Sequence, residues 1–202
     1  MTRTLRLPLS SPVAMHATER GIWVVDRDSH TLTCFDARDG HRMEQAPMGH
    51  APTGAAAAEG VAAALGAAPP GAGYRLSPEG VLEAPDGRTV SIREAVGAGA
   101  VTACANAVWI SVQKGLLLID QHELKHRATV DAPEGPVPHL ICADGKIVGG
   151  HHGVFVLNPM TDHRAHPLPV QPKSPLSAIA ANSAVVWALE SAEPIVHITD
   201  LL

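Results

Sequence analysis

Short apolar runs of about five residues, separated by polar turns, recur along most of the chain. One such run is "GIWVVD" (21–26), and after four polar residues it is followed by "TLTCFD" (31–36). Strands of this length, with turn signals every eight to twelve residues, are typical of antiparallel β-structure. The pattern therefore predicts a protein built from short antiparallel strands.

Four stretches of the chain repeat one order of strands. Each copy begins with an apolar strand that ends in Ala followed by a polar residue: Ala17-Thr18, Ala105-Asn106, Ala143-Asp144 and Ala181-Asn182. The second strand carries Trp23, Trp109 or Trp187, or the Ile147-Val148 pair in the remaining copy. The third strand ends in Asp36, Asp120, Asn158 or Asp200. A repeat of about 40 residues with four strands predicts a β-propeller blade.

Counting these repeats predicts an all-β fold, a closed five-bladed β-propeller with four antiparallel strands per blade. The approximate blades are 12–52, 53–99, 100–137, 138–174 and 175–202 plus 2–9. The last copy has three strands, and the N-terminal "TRTLRLPL" is expected to supply the fourth, which would remove an open edge. The Ala-rich run "GAAAAEGVAAALGAA" (54–68) favours helix by composition. Its neighbours predict a degenerate blade over 53–96, with a helical insertion as the alternative.

Two of the copies resemble a known repeat family. "GIWVVDRDSHTLTCFDARDG" and "AVWISVQKGLLLIDQHELKHRATV" are similar to the repeats of streptogramin-lyase-like and NHL-type β-propellers. The resemblance covers most of the chain outside 53–96 and implies the propeller fold. Streptogramin lyases use a histidine and acidic residues in a metal-assisted elimination, but none of their catalytic residues can be matched to a position here.

Composition narrows the class of protein. The 202 residues carry a formal net charge of −5, so nucleic-acid and membrane-surface partners are not expected. The N-terminus lacks the apolar run of a signal peptide. Three widely spaced cysteines without a CxxC motif predict unpaired thiols and a cytoplasmic location. The oligomeric state cannot be predicted from these features.

Histidine is the compositional outlier, with twelve residues. His41, His126 and His163 occupy equivalent places, each followed by Arg, and are predicted to lie on the surface of outer strands. His122 lies in the same kind of hairpin and has the same interpretation.

The remaining polar residues are predicted to gather at one channel mouth. Positions equivalent to the end of the second strand hold Asp26, His151 and Glu190, and a loop expected on the same side holds His139. These four residues are the predicted catalytic or metal-binding set. The predicted substrate-binding set is Arg27, Lys114, His50 and His152.

The chemistry of this set leaves alternatives open. Imidazole and carboxylate groups suit a divalent metal (Zn, Fe, Ni, Cu or Mg) or general acid–base work. A polar, water-filled mouth without a ligand is the other interpretation. Because successive residues of a strand point to opposite faces, His151 and His152 are not expected to bind one ion together.

A second candidate metal set is His16, Cys104 and Cys142, which are predicted to lie at one level on the first strands. The alternative is that this position requires a small buried residue, because Ala occupies it in two of the five copies and Cys packs as a small hydrophobe.

Two functions follow as hypotheses. The first is a small-molecule enzyme, a lyase or hydrolase with a His/carboxylate site that is metal-assisted or metal-free. The alternative is a non-catalytic ligand-binding or protein-interaction propeller module. Motifs of serine hydrolases, nucleotide-binding loops and zincins are not found in the sequence.

Overall fold

The computed structural model describes residues 2–18, 21–36, 38–48, 73–161 and 164–201. Within these ranges the regular structure is antiparallel β-sheet, with one 3-10 turn at Arg93–Ala95 and no α-helix. In the same ranges no helix is long and apolar enough to cross a membrane. The all-β prediction is therefore confirmed for the described ranges, whose strands fall into two compact units.

The first unit contains two four-stranded sheets. One consists of β2 (Pro12–Ala17), β3 (Ile22–Asp26), β4 (Thr31–Phe35) and β5 (Arg42–Pro47), in that order. The other consists of β1 (Arg3–Arg6), β19 (Ile195–Asp200), β18 (Val185–Glu190) and β17 (Leu176–Ala181), in that order. Arg3 lies opposite Ile198 and Arg6 opposite Ile195. The prediction that the N-terminal strand completes the last sheet is confirmed.

Apolar faces of these two sheets share one core. Trp187, Leu189 and Val196 of one sheet pack with Ile22 and Phe35 of the other, and all five side chains are at most 2% exposed. The first strands of the two sheets, β17 and β2, lie side by side. Burial of this much apolar surface is the main force that holds the unit together.

The second unit contains three sheets, each built from consecutive strands. The first has β6 (Arg75–Leu76), β7 (Val81–Glu83) and β8 (Thr89–Ser91). The second has β9 (Val101–Cys104), β10 (Ala107–Val112), β11 (Gly115–Asp120) and β12 (His126–Val130). The third has β13 (His139–Ala143), β14 (Lys146–Gly150), β15 (Val154–Leu157) and β16 (Ala165–Pro167). The degenerate copy thus shows three strands, and the Ala-rich run lies in 51–72, outside the described residues.

The turn chemistry explains the repeat. Ala105 and Asn106 have φ of 52° and 61°, and Asp144 and Gly145 have φ of 50° and 72°. Two successive positive φ values form the type I′ hairpin that suits twisted strands, and Asn, Asp and Gly adopt them most readily. The two residues after the first strand, Ala105-Asn106 and Asp144-Gly145, therefore let β9 and β13 turn tightly into β10 and β14, and the recurring Ala lies in the turn of one copy (Ala105) and at the strand end of the other (Ala143).

The acidic or amide residue after the third strand has its own structural role. Asp36 Oδ1 accepts the Arg38 N–H at 2.7 Å, and Asn158 Oδ1 accepts the Met160 N–H at 3.0 Å. Such Asx turns supply a side-chain acceptor where the ladder ends. Two of the recurring features thus build turns, which explains why their recurrence indicates the fold.

The prediction of unpaired cysteines is wrong for two of the three. Cys104 on β9 and Cys142 on β13 form a disulfide, with Cα atoms 5.4 Å apart. This separation is within the usual range for disulfides. The second candidate metal set therefore lacks two free thiolates, and the argument that derived a cytoplasmic location from unpaired cysteines loses its premise. His16, the third member of that set, lies on β2 in the other unit, where burial lowers its pKa.

Candidate functional site

Asp26 ends β3 with its side chain buried and hydrogen-bonded to three backbone amides. Its carboxylate accepts the Ser10 and Ser11 N–H groups, each at 3.0 Å, and the Asp28 N–H at 3.2 Å. Burial raises the pKa of Asp26, but these hydrogen bonds together outweigh burial and hold the pKa below its usual value. Asp26 therefore braces the loop that leads into β2 against the end of β3.

Glu190 ends β18 in the same way and is 3% exposed. Its Oε2 accepts the Ser174 N–H at 3.2 Å and the Ser174 hydroxyl at 3.0 Å, so it braces the loop that leads into β17. Its Oε1 lies 2.7 Å from His197 Nε2. Burial raises the pKa of Glu190, and the hydrogen bonds from His197, Lys173 and Ser174 bring it below its usual value.

His197 extends this contact toward the surface. His197 lies on β19, opposite Ala188 of β18 on one side and Thr4 of β1 on the other, and it is 7% exposed. The second ring nitrogen, Nδ1, lies 3.4 Å from the hydroxyl oxygen of the exposed Thr4. A hydroxyl, an imidazole and a carboxylate are thus arranged in sequence on one face of this sheet.

The adjacent histidines lie in the second unit, and their geometry differs from the prediction. Strand β14 ends at Gly150, and residues 151–153 form a bend before β15 begins. The strand alternation that would have separated the two side chains therefore does not apply. The rings of His151 and His152 contact each other, with centroids 4.2 Å apart and planes inclined at 48°.

Glu134 fixes this bend. Its Oε1 accepts the His151 N–H at 2.9 Å and the Gly153 N–H at 3.1 Å, while Oε2 accepts the His152 N–H at 3.1 Å. Glu134 lies in the loop that leads into β13. Its contacts therefore join the loop before a first strand to the end of a second strand, as the contacts of Asp26 and Glu190 do in their own sheets. Here the carboxylate belongs to the loop and the amides belong to the strand end.

The two glycines before the histidines are required by close packing. A Cβ on Gly149 would lie 2.5 Å from Phe155 Cζ and 2.9 Å from Leu140 Cδ1. A Cβ on Gly150 would collide with the carbonyl oxygen of Gly153. The segment "VGGHHG" therefore combines a packing requirement for glycine with a tight bend, and the bend presents both imidazoles.

The remaining predicted residues have various environments. His139 begins β13, half-buried, and its Cα lies opposite that of Gly150. Arg27 is exposed in the turn after Asp26, and Lys114 is exposed in the turn between β10 and β11. His50 lies outside the described residues. In the part of the chain that the structure describes, no three His, Cys, Asp or Glu side chains are grouped as a metal ligand set.

Within the first unit, Asp26 and Glu190 each engage their own loop, and within the second, His151 and His152 come together. The sequence analysis missed Glu134 and His197. His197 has no counterpart in the repeat, since Thr33, Leu117 and Phe155 occupy the equivalent positions. Glu134 lies in a loop of variable length and has no repeat signal either.

Comparison with known proteins identifies no family. No protein-family model matches the sequence, and no curated protein sequence matches it. The structure is similar to that of the computationally designed Ika4 protein, with 10% identity, 98% of each chain covered and a TM-score of 0.45. It is also similar to glutaminyl cyclase from Myxococcus xanthus, with 13% identity, 98% of this chain and 96% of that chain covered, and a TM-score of 0.47.

A third similar structure is the WD40 beta propeller domain of Doa1, with 12% identity and a TM-score of 0.47. The alignment covers 91% of this chain and 62% of that one. Similarities this remote transfer no activity to this chain. The resemblance to streptogramin-lyase-like and NHL-type repeats stays a prediction.

Proposed function

We propose that this chain is a non-catalytic binding module built on a closed five-bladed propeller, and that it binds a small molecule carrying an anionic group. Closure is supported by the recurring strand order and by β1, which completes the last sheet. It is also supported by first strands that lie side by side within each unit, β17 with β2 and β9 with β13. A compact chain of this length has a radius of gyration of about 17 Å, and small-angle scattering would give a larger value for an open arrangement.

The observation that carries a binding function is the use of the carboxylates. A general base or metal ligand needs a free lone pair directed at the substrate or the ion. The carboxylate of Asp26 instead accepts three backbone amides, and that of Glu190 is engaged by Ser174 and His197. Two of the four residues expected to perform catalysis, Asp26 and Glu190, therefore brace loops, and the braced turns provide a rigid surface.

Exposed cations on turns between second and third strands suggest the class of ligand. Arg27 follows the braced Asp26 in the first unit, and Lys114 occupies the β10–β11 turn in the second. A guanidinium pairs well with carboxylate or phosphate oxygens, and an ammonium attracts the same groups as a point charge. The outer strands are less suited to partner contact, because charges such as Arg3, Arg42 and Arg127 protect their edges from strand addition.

The test is a thermal-shift titration of the full chain against small carboxylates and phosphates. A ligand from this panel should raise the melting temperature. Replacing the cation in the unit that binds it, Arg27→Ala in the first unit or Lys114→Ala in the second, should weaken binding at least fivefold without altering the melting temperature of the free protein. Lys125→Ala, in a hairpin between the third and fourth strands, is the matched control. NMR of the recovered ligand should show it chemically unchanged. Consumption of the ligand, or full binding by both variants, would contradict the proposal.

One observation favours a second function, a hydrolase or lyase whose histidine is His197 and not a predicted one. The Thr4 hydroxyl, the His197 ring and the Glu190 carboxylate are arranged in the order of a nucleophile, its base and the group that orients the base. In ester hydrolysis, Thr4 Oγ1 would attack the carbonyl carbon and pass its proton to Nδ1 of His197. That proton would leave with the alcohol, and water would release the acid.

This second function requires the hydroxyl group of Thr4, so it can be tested separately from the binding function. Thr4→Val preserves the shape of the side chain and removes only the hydroxyl group, so it should abolish turnover of a p-nitrophenyl ester while leaving the melting temperature within about 1 °C. Thr2→Val, which alters a neighbouring hydroxyl on the same edge, is the control. If both variants retain the wild-type rate, or if the wild-type protein has no rate above buffer, the hydrolase function is excluded for this substrate class.

A further inference from the structure

We propose that His151 and His152 together form a binding site for one first-row transition-metal ion, with two imidazole ligands and water in the remaining positions. This inference goes beyond the proposed binding module and does not depend on it. It rests on three properties of the bend between β14 and β15: the contact between the rings, the rigidity of the backbone and the negative charge of Glu134.

The ring contact satisfies the first requirement of a two-histidine site. Two nitrogens on one tetrahedral ion at about 2.05 Å each are about 3.3 Å apart. The centroids of the two rings are separated by 4.2 Å. Rotation about the side-chain torsions can therefore bring one nitrogen from each ring to this spacing without movement of the backbone. His152 is exposed and His151 is partly exposed, so an ion can reach the pair.

The backbone of the bend is already held in place. The N–H groups of three successive residues, 151–153, are hydrogen-bonded to the Glu134 carboxylate. Ordering a flexible loop around an ion costs conformational entropy, and a bend that is ordered in advance reduces that cost. Gly149 and Gly150 add to this order, because the space beside each is filled by Phe155, Leu140 or the Gly153 carbonyl.

Charge favours a cation at the same place. The Glu134 carboxylate lies directly beneath the bend, and its two oxygens contact the backbone of both histidines. It is not a ligand in this geometry, but it contributes a fixed negative charge near the ion. Glu134 is therefore a positioning residue, comparable to the outer-shell carboxylates that orient metal ligands in many sites.

The number of ligands defines the class of ion. Within the described ranges no set of three donors is grouped around a metal position, so the protein supplies two nitrogens here. Imidazole nitrogen suits Cu²⁺, Ni²⁺ and Zn²⁺ better than Mg²⁺ or Ca²⁺, which prefer oxygen. The Irving–Williams series predicts that Cu²⁺ binds more tightly than either Ni²⁺ or Zn²⁺ at such a site.

The experiment uses the full chain without an affinity tag, titrated with CuCl₂, NiCl₂ and ZnCl₂ by calorimetry. We expect one Cu²⁺ ion per chain, with nitrogen coupling from two imidazoles in its electron paramagnetic resonance spectrum. His151→Ala and His152→Ala should each weaken binding at least tenfold and leave coupling to one nitrogen. Glu134→Gln should weaken binding by a smaller factor and leave the coupling to two nitrogens unchanged, which distinguishes positioning from ligation.

His122→Ala is the matched control, because His122 is an exposed histidine in another hairpin of the same unit. It should bind Cu²⁺ as the wild type does. The proposal is overturned if the wild type binds no ion, if the double variant His151→Ala/His152→Ala binds as tightly as the wild type, or if His122→Ala loses the ion. Since the proposed binding module is tested with anionic ligands at Arg27 and Lys114, failure here leaves that proposal intact.

Discussion

Cys104 and Cys142 are joined by a disulfide that links the first strands of two sheets across 38 residues of chain. Closing a loop of this length stabilises a protein by roughly 3–4 kcal/mol in the chain-entropy description. We expect a reducing agent to lower the melting temperature by about 10 °C. Scanning calorimetry with and without dithiothreitol measures this difference.

The double variant Cys104→Ala/Cys142→Ala should melt at the temperature of the reduced wild type and should not respond to dithiothreitol. Cys34→Ala, which changes the buried third cysteine, should keep the full response to reduction. If the wild type gives the same melting temperature in both buffers, the disulfide does not stabilise the chain.

Asp26→Asn should destabilise the protein although it changes few atoms. The amide side chain retains one acceptor oxygen for the three backbone N–H groups that the carboxylate satisfies, and buried donors left without a partner cost about 1–3 kcal/mol in total. Urea denaturation of the variant and the wild type gives the difference in the free energy of unfolding. Asp28→Asn, an exposed change in the same turn, should alter it by less than about 0.5 kcal/mol.

The cost of Asp26→Asn should depend on pH. Hydrogen bonds hold the pKa of Asp26 below its usual value in the folded state, so folding favours the charged form. The stability that this contributes is complete above the unfolded pKa of about 4 and is lost as the pH falls through the lower folded value. Melting temperatures between pH 2 and pH 7 should show a constant gap between wild type and variant above pH 5 that narrows below pH 4. A gap that widens in acid would contradict this assignment.

Glu190 and His197 should be strongly coupled. Their contact is 2.7 Å long and the two side chains are 3% and 9% exposed, so a double-mutant cycle with Glu190→Gln and His197→Gln should give a coupling energy of about 1–3 kcal/mol. The ion pair of Arg6 with Glu193 is the control from the same unit, with exposures of 69% and 52%. Its coupling energy should stay below about 1 kcal/mol. Equal coupling in the two cycles would show that burial does not strengthen the Glu190–His197 contact.

Glu134→Ala should loosen the bend that carries the two histidines. The amides of residues 151–153 lose their acceptor, so they should exchange with solvent at least tenfold faster in hydrogen-exchange NMR. The amides within β14, which pairs with β13 and β15, provide the internal reference; that of Ile147, for example, should keep its protection. Unchanged exchange at 151–153 would mean that Glu134 does not hold the bend.

The strands of this protein could be predicted because their signals are local and repeated. Each of these signals reflects backbone chemistry at one place in the chain. Examples are the apolar run before Asp26, the turn residues Asn106 and Asp144, and Asp120 at the end of a strand. The pairing of β1 with β19 could also be predicted, since a last copy with three strands requires a fourth. The residues between 51 and 72 gave no such signal, because an Ala-rich composition lacks the alternation that identifies a strand.

The site could be predicted only in part. The sequence pattern predicted Cys104 and Cys142 to lie at one level, but Cys104 pairs with Ala107 and Cys142 with Ile147, so they are one register position apart in their hairpins. The argument from cysteine spacing favoured free thiols and missed the disulfide. The geometry of His151 and His152 depended on whether β14 ends before or after them, and strand ends are the least certain feature of a sequence pattern. Glu134 and His197 act through contacts that no repeat position encodes.

The pairing of β1 with β19 has a consequence for biosynthesis. Thr4 and its neighbour His197 are separated by 193 residues, and at 5–20 residues per second a ribosome needs roughly 10–40 s to make that stretch. During this time β1 has no partner, because β19 has not been synthesised, and the sheet of β1 and β17–β19 cannot be completed before that. Strand β1 carries two charges in four residues, Arg3 and Arg6. These charges lower the tendency of the unpaired β1 to pair with another nascent chain.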